Sequence, residues 1–239
     1  ARLALGPIRA PAQSDGVDVF WATEARTASL STHCLFATTA TKGEWTDGNS
    51  SGSISLGTGG DTTSPGILII GTGASATGFR SFYAALNTIL LGGGVARSGF
   101  LFQLADLSTV GEEYILRAGF GESQTSDITD GCYLEYDRLN SVNWRRKTAS
   151  NGIRTANNSS TAVAEDAWVW LEVEVNAAAN SVEYFVNGAS VGTETTNIPT
   201  GAGRNTGLVC HIMKSAGTTQ RDCWIDAAYF WQRFTSAHY

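Results

Sequence analysis

Residues 168–192 read WVWLEVEVNAAANSVEYFVNGASVG. Apolar and polar residues alternate through the run, the period of a half-buried strand. With the AAAN segment as a symmetric turn, Val175 opposes Val182, Val173 opposes Tyr184 and Leu171 opposes Val186. Asn187-Gly188 suits a type I′ corner, because both residues accept positive φ. That corner sets Val186 opposite Ala189 and Tyr184 opposite Val191. All these apolar residues then share one face, and a one-residue slip would destroy the pattern. The stretch predicts a three-stranded antiparallel meander. Its apolar face needs a second sheet to cover it, which makes the fold a sandwich.

Outward from this stretch the pattern repeats. Strand-like runs are expected at residues 30–38, 53–56, 66–70, 78–83, 99–104, 114–120, 132–136, 142–148, 208–213 and 223–234, with turn clusters such as DGNSSG, NNSS, PTGAG and KSAGTT between them. FYAALNTILL (82–91) fits either a short helix or a buried strand. The 239 residues include 27 glycines and a single methionine, and 42% are hydrophobic, a balance that favours many short strands over helices. The expectation is an arm over residues 1–16, broken by Pro7 and Pro11, followed by one β-sandwich domain over 17–239.

Net charge is −6 and 16% of residues are charged. No dominant positive field would draw in a polyanion, so nucleic acid is not an expected partner. No apolar run is long enough to span a bilayer, and the first sixteen residues lack the apolar core of a secretory signal. The basic run Arg145-Arg146-Lys147 reads as the solvated face of a strand. Cys34, Cys132, Cys210 and Cys223 form no CxxC pair, so neither a metal site nor a cofactor is expected. Cys210 and Cys223 can face each other across a hairpin centred near Ala216-Gly217, as thiols or as a disulfide.

The polar face of the meander carries Trp170, Glu172, Glu174, Glu183 and Phe185. The predicted register sets Glu174 opposite Glu183, which is unfavourable unless water or a cation intervenes. Three explanations stay open: a solvated acidic face, a cationic partner from another strand or subunit, or a catalytic pair.

DGCYLEYD, the NW that follows, NGIRT, WVWLEVEVN, SVEYFVNG and TTNIPTG, closed by IMKSAGTTQRDCWIDAAYFWQRF, together resemble the concanavalin-like (laminin-G-like) jelly roll. More narrowly they resemble domains of tailed-bacteriophage structural proteins: tail fibres, tailspikes or head decorations. The resemblance covers roughly Tyr114 to Phe234. It implies an all-β, antiparallel two-sheet jelly-roll sandwich of a kind that often binds carbohydrate or assembles. The same scaffold hosts lectins, hydrolases and inert modules, so fold alone does not choose among them.

Glycoside hydrolysis on this scaffold needs two carboxyl groups flanking the scissile bond. Glu172 and Glu174 share a strand face, as do Glu135 and Asp137, but alternating acids also mark the wet side of any strand. Both pairs are read here as solvated faces. No GxSxG elbow or P-loop is present. Asp127 and Asp130 in SDITDG could supply calcium ligands, but read better as a glycine-terminated turn. For sugar stacking the candidates are Trp45 in GEWTDGN and Trp144 in VNWRR. In the last strand Tyr229 and Trp231 share one parity and Phe230 the other. That strand is thus covered on both sides, and one cover could be a neighbouring subunit.

The resemblance implies a non-enzymatic structural protein of a phage virion that self-associates, as a trimer by family analogy, with Pro7, Pro11, Tyr229 and Trp231 at the subunit interface, that contacts other virion proteins and that could touch host-surface glycan through Trp45 and Trp144. The competing readings are a polysaccharide depolymerase using Glu172 and Glu174, and a stand-alone lectin.

Overall fold

The structure, a computed structural model, describes residues 22–24, 27–35, 45–57, 67–123, 125 and 127–235. Those residues form sixteen strands and no helix. Nine strands make one sheet: β1 (Ala22–Glu24), β2 (Thr27–Leu35), β4 (Ser53–Gly57), β5 (Ile67–Gly71), β7 (Gly94–Leu104), β12 (Trp168–Val175), β13 (Val182–Val186), β14 (Ala189–Glu194) and β16 (Asp222–Phe234). Seven make the other: β3 (Trp45–Ser50), β6 (Phe79–Ile89), β8 (Glu113–Gly121), β9 (Gly131–Asp137), β10 (Ser141–Ser150), β11 (Ile153–Ala162) and β15 (Thr206–Ala216). The first sheet runs β1-β2-β16-β7-β12-β13-β14, with β5 and then β4 beside the opening residues of β16; the second runs β11-β10-β9-β8-β15-β6-β3. Consecutive strands β5, β6, β7 and β8 fall in alternate sheets, so the chain repeatedly crosses the core as a jelly roll does.

The meander has the predicted register. Leu171 pairs with Val186, Val173 with Tyr184, Val175 with Val182, and Val186 with Ala189. Asn187 (φ 51°) and Gly188 (φ 77°) make the left-handed corner. Leu171, Val173, Val175, Val182 and Tyr184 are buried against Phe100, Phe102, Phe120 and Leu134. Each such side chain contributes roughly 1.5–3 kcal/mol on leaving water.

One pairing differs. A bulge sets Tyr184 opposite Gly192 instead of Val191. Gly192 takes a φ of 126°, and a side chain there would run into the guanidinium of Arg146. Arg146 reaches over from β10, donates to the Val191 carbonyl and bonds Glu194 at 3.0 Å. The bulge makes room for this clasp between the two sheets.

One open alternative is decided and two further expectations are corrected. FYAALNTILL is mostly strand, with Phe82, Ala84, Ile89 and Leu91 in the core. NNSS lies within β11, and DGNS of DGNSSG within β3. Both are edge strands, where polar residues carry no burial signature. The predicted closing hairpin is instead a crossover, because β15 and β16 belong to different sheets. Cys210 and Cys223 still meet, but across the core, and both are free thiols.

Candidate functional site

The strand pairings align outward-facing residues in rows across the nine-stranded sheet. Trp224, Gln103 and Trp168 form one row; Ala227, Leu101 and Trp170 the next. Then come Tyr229, Gly99, Glu172 and Phe185, and finally Trp231, Arg97, Glu174 and Glu183. Their alternates, Phe100, Phe102, Leu171, Val173 and Phe230, fill the core. One outer face thus gathers five large aromatics of β12 and β16 with three carboxylates and one guanidinium.

Gly99 governs the centre of this face. A side chain there would occupy the space taken by the Tyr229 ring. The ring lies over the glycine, its hydroxyl donates to Glu172 Oε1, and Trp170 stacks on it with centroids 5.5 Å apart. Burial first, and then the hydrogen bond to Glu172, raises the Tyr229 phenol well above its ordinary value, so it remains a donor.

Arg97 answers two of the three carboxylates. Nη2 lies 3.0 Å from Glu172 and Nη1 3.1 Å from Glu174, while the guanidinium sits 4.8 Å from the Phe185 ring centroid. Burial works against the Arg97 charge, but Tyr229, Glu172 and Glu174 more than offset it and its pKa is raised. A cationic partner from another strand serves Glu172 and Glu174, and Glu183 is left without one among the described residues. Glu172, read as solvated, is buried. The guanidinium bridges Glu172 and Glu174.

The outer face of the seven-stranded sheet carries charge but is closed. Glu135, 1% exposed, accepts from Arg117 Nε and Arg145 Nη1, both at 2.9 Å, and pairs with Lys147 at 3.1 Å. Arg117 also holds Asp127. Arg145, Lys147, Glu135 and Asp137 were expected to face solvent; they are buried or nearly so in ion pairs, because adjacent strands supply opposite charges in register. Beside Arg117, His211 is fully buried in a T-shaped contact with Phe79, and neither ring nitrogen has a partner among the described residues. Burial, reinforced by Arg117, pushes its pKa down to about 3. Asp127 and Asp130, weighed as calcium ligands, are engaged by Arg117 and Arg204.

The predicted site residues fall as follows. Trp144 is 1% exposed and packs edge-on against Phe102 and Tyr136, so it cannot present a face to a sugar. A register shift between Asn143 and Arg145 in the pairing with β11 accompanies its inward turn. The Trp45 side chain, Pro7, Pro11 and the 1–16 arm lie outside the described residues. Tyr229, taken as an interface residue, is 7% exposed, with Trp170 and Glu172 of its own chain packed on it. Trp231 is half-buried on the same face. Sequence reasoning had weighed Glu172 but missed Trp168, Trp170, Arg97 and Gly99 as parts of a site.

Residues 63–226 match the SO2946-like, C-terminal domain family. No curated protein matches the sequence. Among solved structures, the protein of unknown function SO2946 from Shewanella oneidensis MR-1 superposes with a TM-score of 0.68 at 10% identity, over 92% of this chain and 93% of that one. The Emp47p carbohydrate recognition domain gives 0.57 at 11% identity, over 84% and 94%. A carbohydrate esterase from Shiga toxin-encoding bacteriophage phi24B gives 0.57 at 13% identity, over 91% and 99%. At these identities the likeness is one of fold. The all-β, two-sheet antiparallel sandwich is that of concanavalin-like jelly rolls, among them lectin and carbohydrate-active proteins.

Proposed function

The chain belongs to the family of SO2946-like C-terminal domains, and from that premise we propose that it binds carbohydrate without cleaving it, on the outer face of the nine-stranded sheet. The observation that supports this most is the outward-facing pair Trp168 and Trp170, neither of them buried, with Trp170 held by stacking on Tyr229 and the partly exposed Glu174 and Glu183 farther along the same face. Aromatic faces beside fixed carboxylate acceptors are what pyranose rings and their hydroxyls require. Arg97 between the two carboxylates favours binding over hydrolysis. Titration of an oligosaccharide panel tests the reading: saturable binding, weakened at least ten-fold by Trp170→Ala, is expected. The depolymerase reading predicts new reducing ends from a polysaccharide panel, lost in Glu172→Gln or Glu174→Gln; that result would overturn the proposal.

As the setting for this activity, we propose a structural role on a phage particle, with the domain self-associating as a trimer. The resemblance over Tyr114 to Phe234 and the fold shared with a bacteriophage protein support it. A fixed copy ratio in purified particles is expected, abolished by deleting residues 1–16; normal incorporation of the truncated chain would count against the arm as the attachment element.

A further inference from the structure

Resting on the carbohydrate-binding reading above, we propose that this face selects glycans that carry amines over neutral ones and rejects those that carry carboxylates, with Glu183 as the specificity-determining residue. In the rows of Tyr229 and Trp231, three carboxylates, Glu172, Glu174 and Glu183, lie with one guanidinium, Arg97, so the formal sum of those rows is −3 + 1 = −2. The guanidinium is spent on partners other than Glu183. Its two terminal nitrogens go to Glu172 and Glu174, and its plane lies over Phe185. Glu183 stands directly opposite Glu174 on the neighbouring strand, and no described side chain donates to it. It is only partly buried.

Like charges in opposed positions are unfavourable in a sheet. A ligand ammonium group placed over Glu174 and Glu183 would relieve that repulsion as well as gain its own hydrogen bonds. A hydroxyl donor would gain the bonds alone. A uronate or sialate carboxylate has only acceptors to offer and adds a third negative charge. The chain's net charge of −6 does nothing to soften that repulsion.

The face is also graded along β12. Trp168 and Trp170 lie at one end, with Gln103 and Leu101 beside them and no charge in either row. Glu174 lies six residues from Trp168, about 20 Å at strand rise. A glycan chain laid along β12 would stack rings on the tryptophans and carry its next units over the acidic pair. Two carboxylates fall well short of the six to eight oxygens calcium takes, so an organic cation suits the pair better.

Three oligosaccharides of equal length decide the matter: a β-linked glucosamine oligomer, its fully N-acetylated form and an oligogalacturonate, each titrated calorimetrically with a chelator present under mildly acidic conditions that keep the amine protonated. The amine form should bind about three- to ten-fold tighter than the N-acetylated form, the worth of one or two partly exposed ion pairs. The oligogalacturonate should give no saturable binding. Raising salt should shrink the preference, Glu183→Gln should reduce it below about two-fold, and Glu183→Lys should reverse it toward the uronate. Equal affinities, or tighter uronate binding, would sink the selectivity while leaving the platform standing. No binding of any of the three would remove the platform and the selectivity together.

Discussion

The Tyr229 hydroxyl donates to Glu172 from a neighbouring strand two positions away, and the ring gets there because Gly99, on the strand between, has no side chain. A methyl group at position 99 must push the ring outward. Gly99→Ala is expected to cost about 1–3 kcal/mol, as overpacking does. Because the displaced ring carries Trp170 with it, glycan affinity should fall in the same variant. Tyr229→Phe keeps the ring and removes only the donor to a buried carboxylate, costing about 1–3 kcal/mol. Urea unfolding of the two variants measures both; a neutral Gly99→Ala would mean the ring has another place to go.

Glu135 and Glu174 are both paired acids, yet they should behave very differently. Glu135 is buried and answers three cations. Glu135→Gln leaves buried positive charges without their partner and should cost about 3–5 kcal/mol. The Glu174 side chain is 32% exposed, so water screens its bond to Arg97, and Glu174→Gln should stay within about 1 kcal/mol. Denaturation midpoints at low and high salt separate them. Similar losses for the two variants would show that the Glu135 cluster is solvated after all.

The meander was legible because two signals agreed: alternation on both sides of AAAN, and a corner of two residues that tolerate positive φ. The site on its outer face was not legible. Glu172 and Glu174 look alike in sequence whether water or a guanidinium covers them. What decides is that β7 lies beside β12, a pairing 77 residues apart for Arg97 and Glu174. Gly99 carried no mark, since its meaning depends on Tyr229 in a third strand. Trp144 was misread because its polar neighbours, Asn143, Arg145 and Arg146, suggested a surface. In the fold Arg146 points inward too, reaching Glu194 at the rim of the opposite sheet.

His211 ties stability to acid. The unfolded chain protonates its imidazole below the ordinary value of 6.5, while the folded chain resists until about 3. Between those values the unfolded state binds more protons. The contribution is therefore fully present above pH 6.5 and is lost as pH falls toward 3, by up to roughly 1.4 kcal/mol per pH unit. His211→Phe keeps the edge contact with Phe79 and removes the titrating ring. The variant should lose less stability than the parent between pH 6 and 4, while other titrating groups act equally on both. Parallel stability curves over that interval would rule out a neutral buried histidine.

Cys210 of β15 and Cys223 of β16 come from opposite sheets and meet in the core as free thiols, and Cys132 is sealed in as well. Burial pushes the Cys132 and Cys223 thiols up, away from the reactive thiolate. No surface fluctuation short of parting the two sheets exposes them. In a Cys34→Ser background, a thiol reagent at pH 8 should therefore modify none of the three within the native lifetime and all three in denaturant. Its rate in dilute urea should track global unfolding, because the sandwich opens as one unit. Labelling of Cys210 or Cys223 well ahead of unfolding would mean that the two sheets separate locally at that end, and that the core is not the continuous layer described above.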